Sequence, residues 1–429
     1  MKILYVSQYF PPEMGAPAAR VAELSRHWAQ AGHDVTVLTG FPNHPTGVVP
    51  LAYRAKLRRL IAREIKDGVH VVRTWLLPFP NRKSWQRMLN YSSFFLSSAI
   101  TGLFLPSPDV VIATSPQLLV GLAGWWLARF KRRRFVFEVR DLWPESLAAV
   151  GMSEEDSLLH RFLARIAGFL YRNSDCIVVV APASRDYLVE RWQVPQEKIS
   201  VITNAVESDL FSPVSTNATL RKQLGAEEKF VVSYIGTLGM AHGLETLLES
   251  AIQLQKSAPE VLFLLVGEGA EKERITALAL SHGLHNVRFL GEQPREKIPA
   301  YICASDVCLA LLKKTELFKT VIPSKLLEFM SCACPVILGV DGQARQILEE
   351  AGAGTFVEPE NSEALTDAIL RFAADPELCR SCGANGRRYV LQHYSRQQTA
   401  KTYFDVLRSL VGQDQPVPAA WKTTATVWR

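Results

Sequence analysis

The sequence predicts an α/β protein with two domains, each built around a parallel sheet of the doubly wound type. Three observations lead to this fold class. The 429 residues exceed what one hydrophobic core usually organises and fit two domains of roughly 200 residues each. From residue 2 to residue 38, a strand, a loop, a helix and a second strand follow one another. A second alternation of strands and helices begins at residue 230.

The first domain opens with an apolar strand at residues 2–8, a helix at 17–31 and a strand at 35–38. The loop between the first strand and the helix contains Gly15 but lacks the G-x-G-x-x-G fingerprint, which argues against a nicotinamide oxidoreductase. Residues 52–66 are rich in Lys and Arg and predict a basic, partly amphipathic helix, followed by a strand near 69–73.

Two stretches without charged side chains follow, at residues 88–108 and 110–128. Each is long enough to span a bilayer as a helix. However, Pro106 would end a helix in the first stretch, and Ser115-Pro116 divides the second. We therefore interpret them as a buried helix, a core strand at 110–113 and a second packed helix.

Charge is distributed unevenly along the chain. Residues 1–200 contain 25 Lys and Arg against 16 Asp and Glu, a net charge of +9, so the remaining residues carry −3 of the total of +6. A basic half suits an anionic lipid surface, a phosphorylated acceptor or nucleic acid. Nucleic acid is the least supported of these partners, because the sequence has neither zinc-finger spacing nor basic-region heptads.

The cysteines and the first residues indicate a reducing compartment. Seven cysteines at irregular spacing are typical of reduced thiols. The pairs Cys332/Cys334 and Cys379/Cys382 lie in predicted helices without matching histidines, so we predict no metal site. The chain begins with an apolar run too short for a signal peptide, and we expect a cytoplasmic protein.

Charged side chains follow the strand predicted at residues 135–139, namely Arg140, Asp141 and Glu145. Open α/β sheets place their sites outside the carboxyl ends of their strands. We therefore predict Asp141 and Glu145 as catalytic groups. The alternative for Asp141 is a purely structural turn.

A glycine-rich loop follows the strand predicted at residues 230–235. It contains Gly236, Gly239 and His242 and opens into a helix. Free amides at a helix start and the helix dipole both attract anions. The sequence therefore predicts a phosphate-binding loop at this place.

The most informative stretch, residues 322–337, predicts a short helix followed by a strand. Pro323 and Ser324 suit a helix start, because proline needs no N–H there and serine can cap free amides. Lys325 lies in the first turn, where a cation opposes the helix dipole unless an anion is bound as well. Glu328 lies one turn further and can accept hydrogen bonds from a hydroxylated ligand.

This stretch, I-P-S-K-x-x-E-x-M, resembles the nucleotide-sugar site of the retaining glycosyltransferases of family 4, which have the GT-B fold. Further motifs in the same order extend the resemblance over residues 1–411. It is closest to the bacterial branch that makes O-antigen and capsule polysaccharide, and within it to N-acetyl-L-fucosamine transferases. The fold class it implies is two Rossmann-like parallel-sheet domains that face each other across a cleft.

The resemblance implies a role for each donor-site residue. Glu328 would contact the ribose hydroxyls of the donor, while Ser324 and Lys325, with nearby amides, would contact its diphosphate. The loop at Gly15 would approach the donor phosphates from the opposite domain. The loop at Gly291 would lie against the nucleobase.

The chain departs from the family pattern in three places. Thr320 stands where many members have a second glutamate, and Arg140 stands where many have a histidine. The basic pair common in the glycine-rich loop is also missing. The charge of the diphosphate would therefore fall on His242, Lys325 or a neighbour such as Lys319.

The resemblance also implies a division of the chain. Residues 1–207 would form the acceptor-binding domain, joined by a helix at 397–411 that crosses back to it. Residues 208–396 would form the donor-binding domain, and residues 412–429 a flexible tail.

The implied activity is metal-independent, retaining hexosyl transfer from a nucleoside diphosphate sugar to a lipid-linked saccharide. The expected donor is a UDP-linked N-acetylated deoxyhexosamine, and no cofactor is expected. Contact with an anionic membrane surface would place the protein on the inner face of the plasma membrane. The alternatives are a GT-B-fold nucleotide-sugar epimerase, which would not need the apolar and basic region 52–134, and a non-catalytic partner subunit.

Overall fold

The computed structural model describes residues 1–13, 15–44, 46–80, 84–149, 157–214 and 217–412, and within them it contains two sheets. The first sheet consists of β1 (Lys2–Val6), β2 (Asp34–Gly40), β3 (Ile61–Lys66), β4 (Val69–Thr74), β5 (Val110–Thr114), β6 (Arg134–Val139), β7 (Cys176–Val179) and β8 (Ile199–Val201). The second sheet consists of β9 (Phe230–Ile235), β10 (Val261–Val266), β11 (Val287–Gly291), β12 (Val307–Leu311), β13 (Val336–Gly339) and β14 (Gly354–Phe356).

Helices connect these strands and cover both sheets. Those of the first half are α1 (Ala16–Gln30), α2 (Leu51–Leu57), α3 (Ser84–Leu103), α4 (Leu118–Lys131), α5 (Glu145–Ala149), α6 (Leu158–Asn173) and α7 (Pro182–Trp192). Those of the second half are α8 (Asn217–Gln223), α9 (Glu245–Ser257), α10 (Lys272–Ser281), α11 (Ile298–Cys303), α12 (Ser324–Ser331), α13 (Gln343–Ala351), α14 (Ser362–Ala374), α15 (Pro376–His393) and α16 (Arg396–Gly412).

Both sheets are doubly wound, which confirms the predicted fold class. The strand orders are β3-β4-β2-β1-β5-β6-β7-β8 and β11-β10-β9-β12-β13-β14. In the first sheet the order reverses between β1 and β5, and in the second between β9 and β12. Such reversal points open a crevice at the carboxyl ends of the strands, where ligands bind in folds of this class.

The alternation of side chains along β1 shows how the first sheet is covered. Leu4 and Val6 pack into a core shared with α3, α4 and α6 on one face. Ile3 and Tyr5 pack on the other face, together with α1 and α16. Since side chains alternate between the two faces of a strand, this all-apolar strand must be buried on both sides.

The prediction of one basic helix over residues 52–66 is wrong. The helix α2 ends at Leu57, and β3 then pairs antiparallel with β4 at the edge of an otherwise parallel sheet. Two residues join the strands, Asp67 and Gly68, which have φ values of 51° and 81°. Asp-Gly with positive φ at both positions is a strong hairpin signal, so the sequence contained the information for this turn.

The two charge-free stretches form a helix, a strand and a second helix in the predicted order: α3, β5 and α4. The prediction that the first helix is buried is wrong for its outer face, where Leu96, Ile100 and Phe104 are exposed. Over the described ranges, no helix combines the length and the apolar character that crossing a bilayer requires.

The last helix, α16, packs on α1 of the first half. The indole Nε1 of Trp28 donates to the carbonyl of Ala400 at 2.8 Å, and Tyr403 is buried beside it. The chain therefore returns to the first sheet at its end. Most of the tail predicted at 412–429 lies outside the described residues.

Candidate active site

The glycine-rich loop and α12 meet at the reversal point of the second sheet. Gly236 follows β9 directly and has a φ of 143°, which side-chain-bearing residues rarely adopt. A Cβ added there would lie 2.9 Å from the Nζ of Lys325. Glycine is therefore required both by the backbone conformation and by the closeness of the lysine.

Lys325 is a buried cation without a hydrogen-bond partner among the described residues. Its Nζ lies 3.8 Å from the centroid of the Tyr234 ring. Burial lowers the pKa of Lys325 to about 7, and the nearby charge of Glu328 only partly opposes this effect. An unpaired buried ammonium is costly, and an anion bound beside it would remove that cost.

His242 lies in the same loop but is a poor candidate for phosphate charge. Its Nδ1 is 3.2 Å from the carbonyl oxygen of Leu311, so this nitrogen must carry the proton in the neutral ring. Burial and, to a smaller extent, the charge of Lys325 lower the pKa of His242 to about 3. The ring is therefore neutral, with Nε2 as an acceptor, and positive charge in this place comes from Lys325.

The start of α12 differs from the prediction in one respect. Ser324 is the first helical residue and Pro323 occupies the cap position, with no side chain capping the helix. The predicted serine cap is therefore wrong, because the serine lies inside the first turn. As a result, the first amides of α12 are not capped by a side chain and retain the partial positive charge of a helix start.

Three glycine positions bring the neighbouring loops together at the same edge. Gly267, directly after β10, donates its N–H to the carbonyl of Gly291 at 2.9 Å, and a Cβ at Gly267 would clash with the carbonyl oxygen of Gly236. The φ values of 147° at Gly267 and 68° at Gly291 also favour glycine. Gly267 was not among the predicted site residues, although a glycine directly after each of two neighbouring strands was a visible signal. Gly239 has extended backbone and leads into the turn that holds His242.

Glu328 belongs to a chain of charges that joins the two domains. Arg295 donates to Glu328 at 3.2 Å and to Glu23 of α1 at 2.7 Å. Glu23 also accepts from Arg396 at 2.8 Å. Burial raises the pKa of Glu328, and Arg295 opposes that rise.

The first domain contributes Gly15, Arg140 and Asp141. Gly15 has a φ of 115° and starts α1 beside the reversal point of the first sheet. The amide of Arg140 donates to Ser115 Oγ at 2.8 Å, while its buried guanidinium Nε and Nη1 have no partner among the described residues. Asp141 is exposed, and desolvation by the surrounding protein raises its pKa against the attraction of Arg140.

Glu145 is placed differently from the other predicted residues. It accepts hydrogen bonds from the Tyr187 hydroxyl at 3.2 Å and from the Trp192 indole at 3.1 Å, and both donors belong to α7. These contacts hold α5 against its own domain, so they give no support to the predicted catalytic role. The described contacts bring together Gly236, Gly239, His242 and Lys325, with Gly291 and Glu328 adjacent. No described contact joins Ser324, Gly15 or Asp141 to this group, apart from the position of Ser324 next to Lys325 in α12.

No group of three or more metal-ligating side chains is found within the described ranges. All seven cysteines are free thiols.

Comparisons with known proteins show which families and relatives this chain resembles. A family model described as "Glycosyl transferase 4-like domain" matches residues 15–205, and one described as "Glycosyl transferases group 1" matches residues 216–389. The "Probable glycosyltransferase WbjE" of Pseudomonas aeruginosa is 26% identical over 76% of this chain and 80% of its own length. The "Putative colanic acid biosynthesis glycosyl transferase WcaI" of Escherichia coli (strain K12) is 26% identical over 88% of this chain and 93% of its own.

Solved structures share the fold at low sequence identity. Sucrose-phosphate synthase from Thermosynechococcus elongatus superposes with a TM-score of 0.76 at 23% identity and covers 96% of this chain and 99% of its own. The HepE protein of Anabaena, in complex with UDP-glucose, superposes with a TM-score of 0.71 at 19% identity and covers 95% of this chain and 99% of its own.

Proposed function

We propose that this chain, a glycosyltransferase of the GT-B fold, transfers a sugar from a nucleoside diphosphate sugar to a lipid-linked saccharide. The transfer proceeds with retention and belongs to bacterial surface polysaccharide synthesis. The donor is a UDP-linked N-acetylated deoxyhexosamine. The names of WcaI, for colanic acid biosynthesis, and of the UDP-glucose complex of HepE support the reaction class and the uridine nucleotide. The proposal assigns the acceptor to residues 1–207 with the helix at 397–411, and the donor to residues 208–396.

The observation that carries the proposal is the unpartnered Nζ of Lys325 beside Gly236. A donor diphosphate at the start of α12 would pair with this ammonium and with uncapped helix amides. In the reaction, the bond from the sugar C1 to the diphosphate oxygen breaks, and a bond to the acceptor oxygen forms on the same face. The acceptor's proton leaves with the diphosphate, whose growing negative charge Lys325 and the amides would stabilise.

Glu328 and Arg295 set the position of the donor's ribose in this proposal. Arg295 occupies one carboxylate oxygen of Glu328, which leaves the other to accept from ribose hydroxyls. Because Arg295 also binds Glu23 of the opposite domain, a donor held by Glu328 would be coupled to the relative position of the domains. Such coupling would help to close the cleft and exclude water.

One observation favours a second candidate, a non-catalytic partner subunit. Thr320 stands at the position of the second glutamate of the family pattern. Its hydroxyl donates to the carbonyl of Leu317 at 2.8 Å, so this side chain does not take over the role of that glutamate. A GT-B-fold epimerase remains the third candidate. It would release an altered sugar nucleotide without any acceptor.

A donor screen separates these functions. Purified protein is melted with UDP-, GDP- and dTDP-sugars, and the mixtures are incubated with a bacterial lipid extract and examined by mass spectrometry. We expect a donor-dependent rise in melting temperature and a glycolipid heavier by one sugar residue. Stabilisation without a new glycolipid would favour the partner subunit, and a changed sugar nucleotide without an acceptor would favour the epimerase. Absence of any donor-dependent shift would contradict the donor site itself.

A further inference from the structure

Four cysteine thiols lie together at the carboxyl end of α12. The Sγ atoms of Cys308 and Cys334 are 3.5 Å apart, and the thiols of Cys303 and Cys332 share a hydrogen bond. Cys332 is the cap residue that ends α12, and Cys303 is the last residue of α11. The fold therefore forms two thiol pairs from two separate stretches of the chain.

The two pairs differ in their access to solvent. Cys308, Cys332 and Cys334 are 0%, 3% and 4% exposed, whereas Cys303 is half-buried. A small oxidant such as hydrogen peroxide reacts with a thiolate that it can reach. The first attack is therefore expected at Cys303, with Cys332 as the neighbouring thiol.

The surroundings of Cys303 favour its thiolate. The Val214 amide donates to the Sγ at 3.5 Å, closer than the carbonyl oxygens of Ser212 and Cys332 at 3.9 Å. The hydrogen bond from Cys332, this amide and the charge of Arg387 lower the pKa of Cys303 to about 7, against the effect of burial. The same hydrogen bond and burial raise the pKa of Cys332, which therefore keeps its proton. One thiol is thus prepared as the nucleophile and its neighbour as the proton donor.

We propose that Cys303 is a peroxide-reactive thiol that forms a reversible disulfide with Cys332. The Cys303 thiolate first attacks one oxygen of hydrogen peroxide, so that an S–O bond forms, the O–O bond breaks and the released hydroxide takes up a proton to become water. The sulfur of Cys332 then attacks this sulfenic acid, so that the S–S bond forms and the S–O bond breaks. The second hydroxide leaves as water with the Cys332 proton. The two thiols lose two electrons, which reduce one peroxide to two waters.

The disulfide would close a clamp between α11 and α12. Arg295 lies in the turn before α11 and donates to Glu328 of α12 at 3.2 Å. Cys303 and Cys332 lie at the carboxyl ends of the same two helices. A covalent bond there would join the helices at a second point and restrict the movement of Arg295 away from Glu328. In a reducing compartment such a disulfide is transient and responds to oxidants. The clamp does not depend on the donor proposed above.

The test of the disulfide is peptide mapping of the full chain after hydrogen peroxide, alkylation of the remaining thiols and digestion with trypsin. Both thiol pairs lie in the same two tryptic peptides, residues 298–313 and 326–345, so variants must assign the bond. We expect linked peptides in wild type and in Cys308→Ala, and none in Cys303→Ala. The Cys332→Ala variant should instead accumulate a sulfenic acid at Cys303, which dimedone traps. Dithiothreitol should separate the linked peptides.

Cys379 is a matched control within the same chain. It is also half-buried, but burial raises the pKa of its thiol to about 11. In Cys332→Ala, dimedone should therefore label Cys303 about tenfold more than Cys379. Equal labelling of the two cysteines would overturn the proposal, as would the absence of any oxidation product. A linked peptide that persists in Cys303→Ala and is lost in Cys308→Ala would also overturn it, because the buried pair would then be the reactive one.

Thermal melting tests the clamp itself. A disulfide removes conformational freedom from the unfolded chain, so oxidised wild type should melt about 5 °C above the reduced protein. The difference should be absent in Cys303→Ala, and dithiothreitol should reverse it in wild type. An oxidised wild type that melts at or below the temperature of the reduced protein would contradict the clamp, even where the linked peptides are found.

Discussion

The two halves of the molecule have the same architecture but different surfaces. Of the nineteen exposed large apolar side chains among the described residues, fifteen lie between Val48 and Phe162 and only four, Leu280, Leu370, Leu391 and Val411, lie in the second half. Residues 1–200 also carry the excess of positive charge. The doubly wound architecture therefore fixes the core and the reversal point in both halves, whereas the outward-facing side chains of the helices can differ in polarity and charge.

Inside the cleft the two halves are more alike. Each contains a cation with buried side-chain nitrogen atoms that lack partners among the described residues: Nε and Nη1 of Arg140 after β6, and Nζ of Lys325 at the start of α12. Their surroundings differ, because Arg140 lies between Glu138 and Asp141, whereas Lys325 lies over the Tyr234 ring. Anion binding should therefore depend mainly on Lys325, which has no carboxylate bound to it in the described part of the chain.

The largest expected effect is that of Lys325→Ala. This substitution removes the ammonium that, in the proposed reaction, would stabilise the charge of the departing diphosphate, so kcat/KM should fall by about 100-fold or more. The matched control is Lys319→Ala, since Lys319 is exposed and paired with Glu316. Steady-state transfer assays with both variants measure the difference. Equal losses of kcat/KM in the two variants would contradict a special role for the buried lysine.

A loss of stability is expected from Glu23→Gln, which breaks the charge chain between the halves. Glu23 is 7% exposed and Arg396 is 5% exposed, so the arginine would be left buried with less compensation. Breaking such a pair typically costs about 3 kcal/mol, and urea denaturation should show a loss of this size. The control Glu377→Gln removes an exposed pair with Arg380 and should cost less than about 0.5 kcal/mol. Equal stability of the two variants would contradict the proposed coupling.

The donor affinity should depend on pH. Because the pKa of Lys325 is lowered to about 7, the free protein loses this cation as pH rises above 7, whereas the bound diphosphate favours the charged form. Affinity for a UDP-sugar, measured by calorimetry, should therefore weaken by about tenfold from pH 6.5 to 8.5. His242, with a pKa of about 3, does not titrate in this range. Lys325→Arg should bind with a flat profile, and a profile unchanged by that substitution would assign the effect to another group.

A smaller effect is expected from Gly236→Ala. The new Cβ would lie 2.9 Å from Lys325 Nζ, and the φ of 143° would be strained, so the lysine should be displaced and KM for the donor should rise by about fivefold. Gly225→Ala is a suitable control. It also has a positive φ of 55°, but its Cβ would approach only the flexible end of Arg288. A similar rise in KM for both variants would point to backbone strain alone.

The sequence was informative where the signals were local. The alternation of strands and helices predicted both sheets, and the residues around Lys325 predicted a helix start, which the structure confirms at Ser324. The hairpin at Asp67-Gly68 contradicts the predicted helix, because this turn dipeptide is a stronger local signal than the basic residues before it. The contact of Arg295 with Glu23 could not be predicted, since 272 residues separate them and no periodicity links the two positions.

The smallest expected effect distinguishes the carboxylates of the two halves. Glu145 accepts from Tyr187 and Trp192, and the amide oxygen of glutamine can accept the same bonds, so Glu145→Gln should leave transfer within about threefold of wild type. Glu328→Gln keeps an acceptor for the ribose but loses the charge opposite Arg295, and it should raise KM more than it lowers kcat. Assays of both variants over a range of donor concentrations measure this contrast. A large fall in kcat for Glu145→Gln would restore that residue to the chemistry, and the cleft would then depend on carboxylates from both domains.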